Sequence, residues 1–549
     1  MTDIAAVMRI LVKLIIVSVL ATSCGRERSD SGKSVFRYNE SKGITSLDPA
    51  QARTMGNIWA VNQLFDGLVN LDSNLRIQPA IAASWDISED GKTYTFHLRD
   101  DVLFHEAECF EKAEERSVTA QDFEYSFKRI LDPKTLSPGK WIFNQVDQDD
   151  SDCFKAMDDT TFRIKLKQPF PPFLGILSMQ YCSVVPKEAV EYGEGNFGRN
   201  PIGCGPFKYE AWYEGVKLVL HRNPDYFEVD ELGNDLPYLD AVGITFIADA
   251  QSVFLEFAKG SLDMISSLED GSFKDALITR TGQLKSEWDG KITMLNEPFL
   301  NTEYLGFLVD SNIQVMDGNP LNNKKIRKAI NLGFDRVKMM KYIRNNIGTP
   351  GIHGFVPYGM WPDKNMIPEG YSYQPKLAKK LLAEAGYPKG KGLPQITLYT
   401  TSQYVDICEY IQGQVKQLGI DLKIEVNPGA THGGLVSNAQ IPFFRKSWIA
   451  DYADPENYLS LFYSPNEAPK GPNYTHFSSS KFDSYYEESL ITTNDSIRWD
   501  LYQKMDSIII DESPVIVLFY DEVVRFVHND VSGLMSDPMN LLDLKYVKK

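Results

Sequence analysis

The residue types best suited to chemistry are gathered in one block, FFRKSWIADYADP (443–455). Arg445 and Asp451 stand six positions apart and bracket Ser447, Trp448 and Ile449. A free peptide offers an ammonium, a carboxylate and backbone amides. A site that accepts varied side chains must hold those groups with an acid, a cation and an extended segment that adds as a strand. The block supplies all three parts. Plainer roles are open to the same residues: Asp451 capping a turn at DPE, Arg445 as a charge at a strand end, and Trp448 with Phe443 and Phe444 as core.

No constellation for covalent or metal chemistry competes with it. GxSxG, HExxH and GxxxxGK patterns are absent, and FHEAEC lacks the second histidine of a zinc protease. GEGNFG (193–198) fits GxGxxG by letter, but it follows a helical segment and runs into Asn200 and Pro201, so it reads as a loop and not a dinucleotide site. The seven histidines are scattered, and neither a metal nor a cofactor is expected.

These residues must be carried by mixed elements. Period-two alternation predicts strands over 92–98 (KTYTFHL), 161–166, 216–221 and 395–399, with Asp90 and Gly91 turning the chain into the first. Amphipathic helices are expected over 119–130, 324–330, 375–385 and 404–418. Thr119 and Asp122 form a capping-box pattern, and Gly386 is a C-terminal stop. The glycines of PIGCGPF (201–207) allow a close backbone path that a side chain would block. Such a mixture fits α/β layers.

At 549 residues, with 43% hydrophobic and 12% aromatic residues, the chain can bury several cores. A net charge of -17 argues against nucleic acid or an anionic bilayer surface as partner. Arg9 and Lys13 precede a short apolar run (14–20), then Ala21, Thr22, Ser23 and Cys24. This is the order of a secretory signal, and the run is too short to span a bilayer. Met8 gives a cleaner start than Met1, since Asp3 is foreign to such a leader. Cys24 is placed like the lipidated cysteine of a bacterial lipobox, although Ala21 replaces the usual leucine; an ordinary secretory signal is the alternative. If Cys24 is lipidated, residues 24–34 tether the protein to a membrane with a reach of roughly 30 Å. Five cysteines remain. In an oxidising compartment the sequence neighbours Cys109–Cys153 and Cys182–Cys204 are plausible bridges, leaving Cys408 a buried thiol in a helix; all five as reduced core residues is the other option.

Several segments, read in order, resemble the extracellular solute-binding family that includes oligopeptide-, dipeptide- and nickel-binding components of ABC transporters. They are SLDPAQ (46–51), NQLFDGLVNLD (62–72), PAIAASWDISEDGKTYTFHLRDDVLFH (79–105), VTAQDFEYSFKRILDP (118–133), NPIGCGPFKYEAW (200–212), RNPDYF (222–227), IRKAINLGFDR (326–336), AKKLLAEAGYPKGKGLPQITL (378–398) and SWIADYADPENYL (447–459). The insertion HEAECFEKAEERS (105–117) departs from the family pattern, as does Cys204 where a small residue is usual.

The resemblance implies an α/β, bilobed periplasmic-binding-protein-like fold of type II, cluster C, with mixed β-sheets flanked by helices and an extra third domain. Its expected division is a signal peptide (1–23), the tether (24–34), a discontinuous lobe I (35–64, 201–298 and 514–549), domain II (65–200) and lobe III (299–513). It implies an extracytoplasmic, monomeric, lipid-anchored binding protein that closes two lobes on an oligopeptide and delivers it to a membrane permease, without catalysis. Asp451 aligns with the aspartate that grips the ligand's ammonium, and Arg445 with a carboxylate-binding arginine. Ser447, Trp448 and Ile449 run beside the ligand. Arg53, Thr54, Met55 and Gly56 face it from the other lobe, Arg53 standing where it would disfavour basic first residues. Relatives also bind nickel chelates, oligosaccharides or amino-acid derivatives, and His432 is the histidine available for a chelate. A secreted hydrolase, or delivery of ligand to a sensor instead of a permease, are the remaining readings.

Overall fold

The computed structural model describes residues 32–110, 116–192, 195–266 and 271–549. The expected leader, Cys24 and most of the expected tether lie outside the described residues, as does part of the acidic insertion. No helix among the described residues is long and apolar enough to cross a membrane.

Among the described residues, seventeen strands form three sheets. A two-stranded sheet pairs β2 (Val69–Leu71) with β3 (Ile77–Pro79). A four-stranded sheet runs in the order β4 (Ala82–Ile87), β5 (Thr93–Leu98), β7 (Thr161–Lys165), β6 (Phe154–Ala156). The alternation of KTYTFHL does place Tyr94, Phe96 and Leu98 inward, against a core that includes Phe123, Phe127, Phe143 and Phe154. The Thr119 capping box forms as expected and starts the helix Ala120–Leu131, which presents Phe123, Phe127 and Ile130 to that core. Together these elements make the core of the 65–204 region.

The third sheet has 11 strands and holds the rest of the molecule together. One half contains β15 (Leu422–Val426), β14 (Ile396–Thr400), β16 (Phe443–Ile449) and β13 (Thr349–Pro350). The other contains β11 (Met264–Ser266), β1 (Val35–Asn39), β10 (Ala241–Thr245), β9 (Lys217–Arg222) and β8 (Phe207–Tyr213). Two long strands, β12 (Ile292–Phe307) and β17 (Val515–His528), pair antiparallel and pass through both halves. Their register breaks between Pro298 and Thr302. On one side of the break β12 pairs with β16 through Asn301–Phe307. On the other, β17 pairs with β11. Separate cores flank the two halves, one around Phe307, Ile330, Leu398 and Ile411 and one around Phe36, Leu64, Phe207 and Val242. A bilobed mixed α/β architecture is therefore observed, with β12 and β17 as the two connections between sheet halves.

PIGCGPF follows the close path its glycines allow. A Cβ on Gly203 would stand 1.9 Å from the Leu64 carbonyl oxygen, and one on Gly205 would stand 2.5 Å from the Leu64 carbonyl carbon. Both expected disulfides are corrected: Cys109, Cys153, Cys182, Cys204 and Cys408 are all free thiols. Cys153 packs into the phenylalanine core of the 65–204 region, whereas Cys109 packs against the core around Leu64 and Phe207. The Cys182 thiol donates to the Ile176 carbonyl at 3.5 Å, and Cys204 is buried in the same core without bonding it. Cys408, fully buried in the helix Val405–Lys416, is the core thiol its apolar surroundings predict.

Candidate functional site

β16 is the element on which the site is built. Along one edge it pairs with β12, Ile449 opposite Asn301 through Phe443 opposite Phe307. Along its other edge the ladder to β14 has a single point, Tyr399 opposite Phe444. His432, on the helix Gly429–Ser437, closes the next position by binding the Arg445 carbonyl through Nε2 at 2.8 Å. Beyond it, residues 446–449 keep an unpaired edge, a template for an added strand.

Asp451 lies just past the end of this edge. Its carboxylate is half-buried, and its Oδ2 accepts from Asn457 Nδ2 at 3.3 Å. The same asparagine accepts through Oδ1 from the Asp451 amide at 3.1 Å and from Trp448 Nε1 at 2.9 Å. Asn457 thus fixes the acid and the indole together. No Lys, Arg or His among the described residues pairs with Asp451, and burial raises its pKa, the Asn457 bond opposing. The capping role that Asp451 could have filled belongs instead to Asp454, whose Oδ1 accepts from the Glu456 amide at 2.9 Å. Tyr181, Tyr458 and Tyr474 surround the carboxylate closely enough that its charge raises their hydroxyl pKa values, after burial.

Arg445 is differently placed. Its guanidinium forms an ion pair with Glu303 on β12, whose side chain is only 3% exposed, and it stacks on Tyr404 at 3.1 Å from the ring centroid. Glu303 also accepts from Asn301 at 3.2 Å, and Asn301 reaches Asp521 at 3.5 Å, itself paired with Arg344 at 2.6 Å. A chain of charges therefore crosses the register break of β12 and β17. Burial raises the Glu303 pKa, Arg445 opposing.

From the other half, Arg53 and Thr54 are exposed and Met55 is half-buried at the start of the helix Met55–Leu64. Gly56 is buried, with space for a Cβ taken by Glu40 at 2.6 Å. Arg53 and Asp451 approach through Tyr181, whose hydroxyl is pushed up by burial and by Asp451 and pulled down by Arg53. Gln180 holds the Ala52 carbonyl at 2.8 Å, and Trp141 tilts against Tyr452 with centroids 6.5 Å apart. The structure thus brings Asp451, Trp448 and Arg53 into one neighbourhood, with Ser447 half-buried and Ile449 exposed on the open edge. His432 engages the Arg445 carbonyl through Nε2 and keeps a buried Nδ1 without a hydrogen-bond partner, and no cluster of metal-ligating side chains exists among the described residues.

Asn457, Lys446, Glu303 and the three tyrosines escaped the sequence reading. Asn457 had a signal, standing directly after DPE on the short helix Glu456–Leu459; Glu303 and Tyr474 reach the site only through the fold. One large cavity lies apart from this chemistry. A cavity of 1210 Å³ lined by Asp66, Arg99, Glu228 and Lys545 has no wall from 443–457 and meets the site only around Met179 and Gln180. The open edge and the uncompensated acid are the better markers, because they are what a ligand would complete.

Known proteins resemble the chain over most of its length. The model of the bacterial extracellular solute-binding proteins, family 5 (middle region), matches residues 76–470. The dipeptide-binding protein of Bacillus subtilis is 25% identical over 94% of this chain and 92% of its own length. The periplasmic oligopeptide-binding protein of Escherichia coli is 28% identical over 92% of this chain and 91% of its own. Among solved structures, an ABC transporter-associated periplasmic binding protein from Helicobacter pylori in complex with the peptide STSA superposes with a TM-score of 0.73 at 27% identity, covering 94% of this chain and 98% of that one.

Proposed function

The chain belongs to family 5 of the bacterial extracellular solute-binding proteins, and from that premise we propose that it captures oligopeptides for an ABC permease by closing its two lobes. The family binds solutes and does not transform them. The observation that carries the peptide reading is Asp451, a half-buried carboxylate that has no cationic partner among the described residues, at the end of a strand whose edge over 446–449 none of them pairs. An α-ammonium completes the first, and peptide backbone completes the second. Arg53 to Gly56 and Tyr181 form the opposing wall, and Trp448, pinned by Asn457, lines a side-chain pocket. The hinge is the pair of crossing strands at 298–302 and 520–522, where the ladder is already interrupted. Relatives named for dipeptides and oligopeptides support this choice of ligand.

Cys24 carries the lipid that keeps the protein at the extracytoplasmic face, working as a monomer. Calorimetry with a mixed-sequence library of three- to five-residue peptides tests the ligand class: free-amine peptides bind and their N-acetyl forms do not. Equal binding of both, or of neither, contradicts the reading.

A further inference from the structure

We propose that Lys446, and not Arg445, holds the ligand's carboxylate, which makes the site selective for short peptides with a free C-terminus. This inference rests on the peptide reading above and specifies its far end.

The charge of Arg445 is already matched, because its guanidinium pairs with the buried Glu303 and is covered by Tyr404, and its Nε, a donor left without a partner, is buried. Binding a ligand carboxylate there would place two anions on one cation in a desolvated setting. Lys446 also lies over a tyrosine ring but lacks the ion pair. Neighbouring strand residues point to opposite faces, so Lys446 shares a face with Trp448 and not with Arg445. Its ammonium sits 4.4 Å from the centroid of the Tyr474 ring, and it forms no ion pair with any described residue. The side chain is half-buried, and burial followed by the Arg445 charge lowers its pKa. A cation held partly out of water with only a ring for company is stabilised by any anion brought to it.

The geometry joins this cation to Asp451. Tyr474, the ring under Lys446, feels the Asp451 charge, and Asn457 ties Asp451 to Trp448 on the Lys446 face. The free edge also has two ends. Asp451 marks one; His432 on the Arg445 carbonyl and the β14 contact at Phe444 mark the other. A peptide whose ammonium is on Asp451 and which runs antiparallel to β16 must therefore end beside Lys446. Five residues of extended chain cover about 16 Å, so a ligand of three to five residues fits.

The test uses two mixed-sequence libraries of tri- to pentapeptides, one with C-terminal acids and one with C-terminal amides, captured by the purified protein and read by mass spectrometry. The wild type is expected to favour acids over amides by about 30-fold or more. K446Q should bring that ratio near one while retaining amides as well as the wild type does, and K446R should restore it. Thermal melts of the two variants confirm that they are folded. A wild type without acid preference, or a K446Q variant that keeps it, overturns the role of Lys446 while leaving peptide capture intact. Capture of neither library by the wild type removes the peptide reading itself and this inference with it.

Discussion

Replacing Asp451 by asparagine separates its charge from its shape. The amide keeps the size of the carboxylate and can still meet Asn457, which bonds both the backbone and the side chain of this residue. Only the counter-ion for an ammonium is lost. Truncating one partner of a buried ammonium–carboxylate pair costs about 2–5 kcal/mol. Asp451 is half-buried, so solvent screening puts it at the low end, about 2–3 kcal/mol, or a loss of about 30- to 150-fold in affinity. Titration calorimetry of one peptide and its N-acetyl form against both proteins gives the coupling directly: acetylation is costly in the wild type and neutral in Asp451→Asn. The pH dependence has a definite sign. Burial holds the free-state pKa of Asp451 above the usual carboxylate range, and a bound ammonium pulls it down, so binding releases a proton. Affinity is full above the free-state pKa and falls as the pH drops through it; in the variant this acid limb disappears. Undiminished affinity in Asp451→Asn, or an acid limb that survives, would refute the argument.

Gly205→Ala is expected to destabilise the fold by about 3 kcal/mol in chemical denaturation, because its Cβ would press on backbone and not on a yielding side chain. Alkylation in denaturant should modify Cys109, Cys153, Cys182, Cys204 and Cys408 to the same extent with and without prior reduction; new sites after reduction would mean a bridge. Asp506 is fully buried, accepting from the Phe355 and Val356 amides, and burial raises its pKa from the ordinary 3.8 to about 7. A raised folded pKa favours the folded state at low pH. Its contribution is therefore present below about 4 and lost by about 7, on the order of 4 kcal/mol. Asp506→Asn should flatten the melting temperature over that interval, and an unchanged slope would contradict it.

The fold was legible where pattern and burial coincide. Alternation in KTYTFHL found β5, and periodicity found the helix around Cys408 to within a residue or two of its ends, since each buries one face against a core. The close path of Gly203 and Gly205 was also readable, because no other residue tolerates it. Disulfide pairing was not: nearness in sequence says nothing about which core a cysteine joins, and Cys109 and Cys153 join different ones. The candidate site divides in the same way. Asp451 and Trp448 stand together in one block and were found there. The ion pair of Arg445 with Glu303 spans 142 positions and exists only because β12 lies beside β16. Strand alternation could have set Lys446 apart from Arg445, but it could not say which of the two had a partner.

Central to this account is that the cleft between the two lobes holds a peptide by its ammonium. Native mass spectrometry of the purified full chain, with the released ligand fragmented and sequenced, tests it most directly. The account predicts short peptides of mixed sequence with unmodified amino termini, absent from Asp451→Asn prepared in parallel. Recovery of a sugar or a metal chelate, or of the same peptides from the variant, would contradict it.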